Sequence, residues 1–372
     1  MPKATETVLE IDLGALEHNY QYLRSKIEPS TKFLGVVKAF AYGNDSVRVA
    51  QKLEELGVDY FAVAYAKEGV VLRDAGIKSP ILVLHPLPSG FETIIERCLE
   101  PSIYSEHILD TFLETARKHG QKDYPIHLKF NTGLNRLGFK KEQVLKLTEK
   151  LIPRNELKVV SVFSHLAATE DHNEREFTLR QINTFEGIAK EVEERLGYQP
   201  KRHILNTSGI INYPEAQFDM VRSGIGLYGY GNEAKIDAQL RPIATLKTII
   251  SQIHVLEPNE SVGYNRAYKT GFKKVTATLP LGHADGIGRP YGNGKGQVYI
   301  NGKMAPILGN VCMDMIMVDV SDIDCKEGDE VIVFGPQNSA EKMANRANTI
   351  SYELLTGISQ RVKRVFLDSR NN

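Results

Sequence analysis

Between residues 33 and 229 the chain alternates short apolar, β-branched runs with longer stretches of helical period, and nothing else in the sequence constrains the fold as tightly. The runs fall at 33–39, 60–64, 81–85, 101–105, 126–131, 159–165, 203–208 and 219–228. Helical candidates separate them at 46–56, 66–75, 89–97, 106–119, 140–151 and 174–195, with a short one after Gly209. Parallel strands cannot be joined by a tight hairpin, so a helix-length crossover between each pair predicts βα units around a parallel sheet. Eight such units predict an α/β fold of (β/α)8 TIM type, whose reactive groups gather at the C-terminal ends of the strands.

After residue 242 the punctuation changes. Runs at 249–256, 275–281, 297–300, 305–308, 315–320 and 330–334 follow without long helices between them, which predicts a mainly β domain over 243–372 behind a barrel over 1–242. Asn301-Gly302 separates two of these runs, the dipeptide that a type I′ hairpin turn favours because both central residues need positive φ. A helix is expected over 339–356. Ahead of the barrel, the run 8–12 is short enough to join the later β domain as a strand, and a helix is expected from Ala15 to about Ile27.

Composition narrows the function classes. Lys+Arg and Asp+Glu both total 46, so no global positive field draws nucleic acid or an anionic membrane, and a small-molecule ligand is expected. No apolar stretch approaches the roughly 20 residues of a membrane span, and the segment MPKATETVLEIDL lacks a secretory apolar core, which points to the cytoplasm. Cys98, Cys312 and Cys325 have neither disulfide-framework nor zinc spacing, His165 and His172 lack metal-ligand spacing, and no catalytic metal is expected. The stretch GIGRPYGNGKG has glycine spacings, but no Ser or Thr follows Lys295 and strands flank it, so it is neither a dinucleotide fingerprint nor a P-loop.

Chemistry concentrates where the barrel reading puts strand ends. Lys38 closes an apolar stretch at the end of the first run, where an ammonium must pair, lower its pKa or bond to a carbonyl carbon. His165 ends the sixth run, Asn206-Thr207-Ser208-Gly209 the seventh and Arg222-Ser223-Gly224-Ile225-Gly226 the eighth. Alone, each has an ordinary explanation: a rim lysine with its head in water, a hydrogen-bonded core histidine, small residues for tight turns. Together, a lysine and a hydroxyl- and glycine-rich cup at strands seven and eight fit pyridoxal phosphate, tethered at one end and held by its phosphate at the other.

These residues resemble the alanine racemase family over nearly the whole chain. VVKAFAYG, HLKFNTGLNRLGF, FSHLA and VRSGIGLYG are similar to its barrel motifs, and VGYNRAY, LGHADGIGRP, APILGNVCMDM and ISYELLTGISQRVKRV to those of its β domain, in the same order. The resemblance implies a homodimer that interconverts L- and D-alanine for bacterial peptidoglycan. It implies Lys38 as cofactor lysine and one acid–base group, with Tyr264 of the partner subunit as the other. It puts Arg222 at the pyridine nitrogen, with His165 nearby, Arg136 at the phenolic oxygen and substrate, and Lys129 as a residue sometimes carbamylated. Tyr42, Asn206, Thr207 or Ser208, Gly224, Ile225 and Tyr352 would hold the cofactor's phosphate end, and Met313 the substrate carboxylate.

The sequence departs from the family at His283 (usually Tyr), Asn131 (usually Asp), Asn310 (commonly Arg) and Asn44-Asp45 (usually His-Gly). These positions bear on substrate selectivity more than on reaction type. They keep open a racemase for serine, lysine or a broader range. A non-catalytic pyridoxal-phosphate regulator would lack VGYNRAY and VCMDM, and a decarboxylase would be expected to set an acid where Arg222 stands.

Overall fold

The computed structural model describes residues 4–231 and 233–367. It divides into two compact units. One comprises Leu16–Ala41 and Ser46–Arg241; the other runs from Pro242 onward and also takes the residues up to Ala15 and the short segment Tyr42–Asp45.

In the first unit all eight runs form strands: Lys32–Val36, Tyr60–Val63, Ile81–Val83, Glu100–Ile103, Tyr124–Lys129, Leu157–Phe163, Lys201–His203 and Met220–Ser223, barrel strands one to eight. Neighbours pair in parallel in chain order, and strand eight returns to strand one, Leu34 opposite Arg222. The remaining seam, between strands seven and eight, is crossed by backbone bonds from Asp219 N–H to Arg202 O and from Arg222 N–H to Leu205 O, each 3.1 Å. The sheet is therefore a nearly closed eight-stranded parallel barrel. Burial on both faces explains the unbroken apolar runs: Phe33, Phe61, Ile81, Leu128 and Val162 are all fully buried. The surrounding helices are amphipathic. Glu106–Lys118 buries Ile108, Leu109, Phe112, Leu113 and Ala116 on one face, and Ser105 caps it by accepting from Ile108 N–H at 3.3 Å.

All eight strands end sooner than the apolar runs suggest, strands one, seven and eight the most; strand seven stops at His203, ahead of the helix Thr207–Asn212. Strand one stops at Val36 and strand eight at Ser223, where the chain turns into a short 3-10 segment, Ile225–Tyr228. Beyond strand one the change is sharper. Ala39, Phe40, Ala41 and Tyr42 have φ of 52–55° and Gly43 has φ 85°, with Ala41 N–H bonded to Val37 O at 3.0 Å. This is one turn of left-handed helix, a conformation that costs L-residues roughly 1–2 kcal/mol each.

The second unit is built on a nine-stranded sheet in the order Gln252–Leu256, Lys274–Leu279, Ile316–Asp319, Lys303–Leu308, Gln297–Ile300, Glu330–Phe334, Ala244–Ile249, Val8–Asp12, Lys363–Leu367. Val8–Asp12 runs antiparallel to Ala244–Ile249 and parallel to Lys363–Leu367. Asn301 and Gly302, at φ 43° and 90°, make the hairpin turn. The expected run 249–256 is really the end of one strand and the whole of another, because a break at Ile250 and Ser251 divides it. The expected helix over 339–356 is two, Ala340–Arg346 and Ser351–Thr356, interrupted where Asn348 takes φ 57°. Among the described residues no helix is long and apolar enough to cross a membrane.

Candidate active site

Lys38 stands just past strand one, at the entrance to the left-handed turn. Burial pushes its ammonium below the ordinary lysine pKa, and the charge of Arg136 adds to the shift; Glu68 opposes both. That carboxylate is fixed by three backbone donors: Ala39 N–H at 2.7 Å on one oxygen, Ala64 N–H at 2.6 Å and Tyr65 N–H at 3.2 Å on the other. Sequence reading passed over Glu68. Its signal was a glutamate in the first turn of the helix Ala66–Asp74, an ordinary capping position.

Lys129 ends strand five and is 6% exposed. Every charged group acting on it is a cation, namely Arg136, Arg222 and Lys38, and with burial these bring its pKa down to about 8. Arg136 lies exposed on the loop after strand five. Asn131 shapes that loop: its side-chain oxygen accepts from Gly133 and Asn135 N–H at 3.1 and 3.0 Å, and its amide donates to Asn135 Oδ1 at 2.8 Å. Asparagine makes this Asx-type turn without adding an anion beside Arg136.

Arg222, on strand eight, is buried, which lowers its pKa to about 9 and leaves it charged at neutral pH. One terminal nitrogen donates to His203 Nδ1 at 2.7 Å; the other reaches Ser164 O at 2.7 Å, His165 Nδ1 at 3.2 Å and Ile204 O at 3.2 Å. These bonds leave the Nε–H for a ligand. A guanidinium can only donate, so His165 must present a lone pair at Nδ1 and carry its proton on Nε2. Burial and the cations Arg222, Arg136, Lys129 and Lys38 agree, holding His165 neutral with a pKa well below the usual value.

The loops after strands seven and eight meet through Thr207 Oγ1 and Ser223 Oγ at 3.0 Å, and Gly226 N–H donates to Thr207 Oγ1 at 3.3 Å. A Cβ on Gly226 would sit 2.5 Å from Thr207 Cγ2, so only glycine lets these loops approach. Asn206 caps the helix Thr207–Asn212, accepting from Gly209 N–H at 2.9 Å and from Thr169 Oγ1 at 2.8 Å, and Ser208 Oγ donates to Gly231 O at 3.1 Å. Thr207 and Ser208 open that helix, while Gly224 and Ile225 open the 3-10 segment. N–H groups at such positions have no acceptor within the turn, which suits an anion. A half-buried lysine, a guanidinium donor and an N–H-rich cup in one barrel thus suit the aldehyde, ring nitrogen and phosphate of pyridoxal phosphate.

The other candidate residues lie in the second unit. Tyr42 and Tyr352 face each other there with ring centroids 6.0 Å apart, and burial followed by Tyr352 pushes the Tyr42 phenol up. Tyr264 sits on the hairpin formed by Ser261–Val262 and Tyr268–Lys269 and is 70% exposed. Asn310, where the family commonly has arginine, donates to the backbone O of Tyr264 at 3.2 Å. Met313 is exposed on a loop tied to the His283 turn by His283 N–H to Cys312 O and Ala284 N–H to Met313 O, both 3.0 Å. Arg361 braces both sides of that junction, bonding Asp285 at 2.7 and 2.9 Å and Asp314 at 2.7 Å.

Comparison with known proteins agrees with this geometry. Residues 11–232 match the family model "Alanine racemase, N-terminal domain" and 243–366 match "Alanine racemase, C-terminal domain". Alanine racemase 1 of Clostridium acetobutylicum is 37% identical over 370 residues, covering 96% of this chain and 94% of its own. The alanine racemase of Clostridium difficile superposes with a TM-score of 0.92 at 35% identity, over 99% of this chain and 97% of that one. The enzyme of Bartonella henselae, solved with covalently bound pyridoxal phosphate, superposes at 0.90 with 29% identity over 98% of this chain and 100% of its own. The chain therefore belongs to the alanine racemase family of pyridoxal-phosphate-dependent isomerases.

Proposed function

We propose that the protein interconverts L- and D-alanine by moving a proton at Cα between two groups on opposite faces of the substrate. The observation that carries this reading is Lys38, a lysine at the end of barrel strand one whose burial and Arg136 neighbour lower its pKa. Pyridoxal phosphate, when bound, supplies the electron sink that makes the Cα–H acidic. Lys38 Nζ, its pKa lowered by burial and Arg136, takes or returns the proton on the D-alanine face. Tyr264 Oη of the partner subunit serves the other face; its exposure, with that of Met313 and Met315, supports an assembly of two copies. Neutral His165 and charged Arg222 favour loss of the phenolic proton nearby.

With the cofactor bound, Arg222 would offer its Nε–H to the ring nitrogen and, being a guanidinium, would give that nitrogen no proton to keep. A weaker electron sink follows, which favours return of the proton at Cα over its transfer elsewhere. Arg136 would hold the phenolic oxygen and the substrate carboxylate. Lys129, an amine ringed by cations, is suited to carry an anionic carbamate beside Arg136. The N–H groups of Thr207, Ser208, Gly224 and Ile225 take the phosphate. D-Alanine made in this way would feed peptidoglycan from the cytoplasm.

His283, whose turn is bonded to the Met313 loop, favours a second reading in which the substrate is serine, lysine or a broader set. A D/L product assay on the purified holoenzyme across a panel of amino acids separates the two. Borohydride should abolish the cofactor's visible band and leave its mass on Lys38; a label on another lysine, or none, removes the assignment.

A further inference from the structure

Inside the barrel, five consecutive strands each contribute one polar side chain to a single hydrogen-bonded line: Glu100 from strand four, His127 from five, Ser161 from six, His203 from seven and Arg222 from eight. The links are Arg222 to His203 Nδ1 at 2.7 Å, His203 Nε2 to Ser161 Oγ at 3.0 Å, Ser161 Oγ to His127 Nδ1 at 2.5 Å, and His127 Nε2 to Glu100 at 2.7 Å. Arg222, His203, Ser161 and His127 are all 5% exposed or less. A barrel interior is ordinarily filled by branched apolar residues, so a polar line through it needs a physical reason.

The two ends fix the direction of every bond. A guanidinium only donates, so His203 accepts at Nδ1 and must carry its proton on Nε2. Ser161 accepts that proton's bond and turns its own hydroxyl proton to His127 Nδ1, which puts the His127 proton on Nε2, facing a carboxylate that only accepts. Each of the four links then holds one proton. Tyr60 bonds Glu100 as well. The rings are held by packing too: His203 stacks on Phe163 with centroids 4.8 Å apart, and Tyr60 meets His127 edge-on. Among the described residues no carboxylate forms an ion pair with the buried Arg222, and Glu100 stands at the far end of this line.

We propose that Glu100, His127 and Ser161 are positioning residues that fix His203 as an acceptor toward Arg222, and so set the hold on the guanidinium that faces the cofactor's ring nitrogen. The proposal rests on the placement of Arg222 in the preceding section. It differs in what it claims: a negative charge on strand four is felt at strand eight through polarised neutral groups.

The test is made on full-length holoenzyme labelled with 15N-histidine. In the unsubstituted protein His127 and His203 should both be neutral with the proton on Nε2. Glu100→Gln removes the acceptor-only end and should let His127 populate the opposite tautomer; Ser161→Ala should leave the His203 Nε2–H without an acceptor and move its proton resonance upfield. Both variants should lower kcat about tenfold with KM nearly unchanged, the scale seen when an outer partner of a functional group is removed. In an Arg222→Lys background the same changes should add almost nothing, because the relay acts through Arg222. A His127 or His203 protonated on Nδ1 in the unsubstituted protein, or losses that add fully in the Arg222→Lys background, would overturn the proposal. Failure of the underlying reading shows separately, as an unsubstituted holoenzyme that makes no D/L product while its histidine tautomers are as described.

Discussion

Glu68 accepts a 2.7 Å hydrogen bond from the N–H of Ala39, the residue immediately after Lys38. One carboxylate thus fixes the start of the left-handed turn and raises the pKa of the lysine that begins it. In Glu68→Gln the lysine should lose its proton at lower pH. The rate at which a small electrophile labels Lys38 in cofactor-free protein, followed by mass spectrometry against pH, gives the midpoint. A midpoint that stays in place would leave Glu68 with only its backbone bonds.

Lys129 should make stability rise with pH. Its pKa in the folded chain is about 8, against an ordinary 10.5. Between those values the unfolded chain binds a proton that the folded chain does not, so stability climbs with pH across that window and carries the full penalty below it. Lys129→Met should therefore stabilise the protein at pH 7 by on the order of 2–3 kcal/mol and flatten the climb. Urea unfolding at pH 7 and pH 10 in carbon-dioxide-free buffer measures both; parallel pH curves for the two proteins would contradict it.

Tyr264→Phe should discriminate between enantiomers. Losing one proton-transfer group typically costs about 10²–10⁴ in rate, and the loss should fall on exchange of the α-proton of L-alanine far more than on that of D-alanine. Deuterium exchange from each enantiomer is the measurement. Equal, small losses would reduce Tyr264 to a packing residue.

His283→Tyr should change KM for alanine and its pH dependence while sparing the cofactor spectrum. The side chain is an exposed imidazole on the turn bonded to the Met313 loop. KM for L-alanine between pH 6 and 9 in both proteins decides the matter. Superimposable curves would mean that His283 only fills space.

Gly43→Ala should destabilise the chain by about 2–4 kcal/mol. The position has φ 85°, and an added Cβ would lie 2.0 Å from the backbone O of Leu355. Arg364 holds the neighbouring backbone in place, donating to Gly43 O at 2.8 Å and Asn44 O at 3.1 Å. A loss well under 1 kcal/mol in urea would show that the Leu355 carbonyl moves aside.

The barrel strands were legible because burial on both faces leaves an uninterrupted apolar run, as in Tyr60–Val63, and each run is set off by a helix of clear period. Ala244–Ile249 was not, because Lys247 interrupts it; that lysine is buried between Glu10 at 2.9 Å and Glu330 at 3.5 Å, partners distant in sequence. Lys363–Leu367 is a half-exposed edge strand, and its leading Lys363-Arg364 pair leaves only a short apolar run to mark it. In the site, Lys38, His165 and Arg222 stood out as polar residues at the ends of apolar runs. His127, Ser161 and Glu100 sit within or at the start of strands, and only the closure of the barrel brings them into line. The left-handed turn carries no local mark either, since Ala-Phe-Ala-Tyr is unremarkable in a right-handed helix.

That turn inverts the ordinary exchange between glycine and alanine. In a right-handed helix, replacing alanine by glycine costs about 1 kcal/mol; at Ala39 or Ala41, whose φ values are 52° and 53°, the Cβ is what clashes and glycine removes the conflict. A substitution scale drawn from ordinary helices has the wrong sign at these positions. An alanine kept there gives up stability for rigidity, because glycine would relieve the backbone and also let it wander. A sequence optimised for stability alone would replace these alanines first.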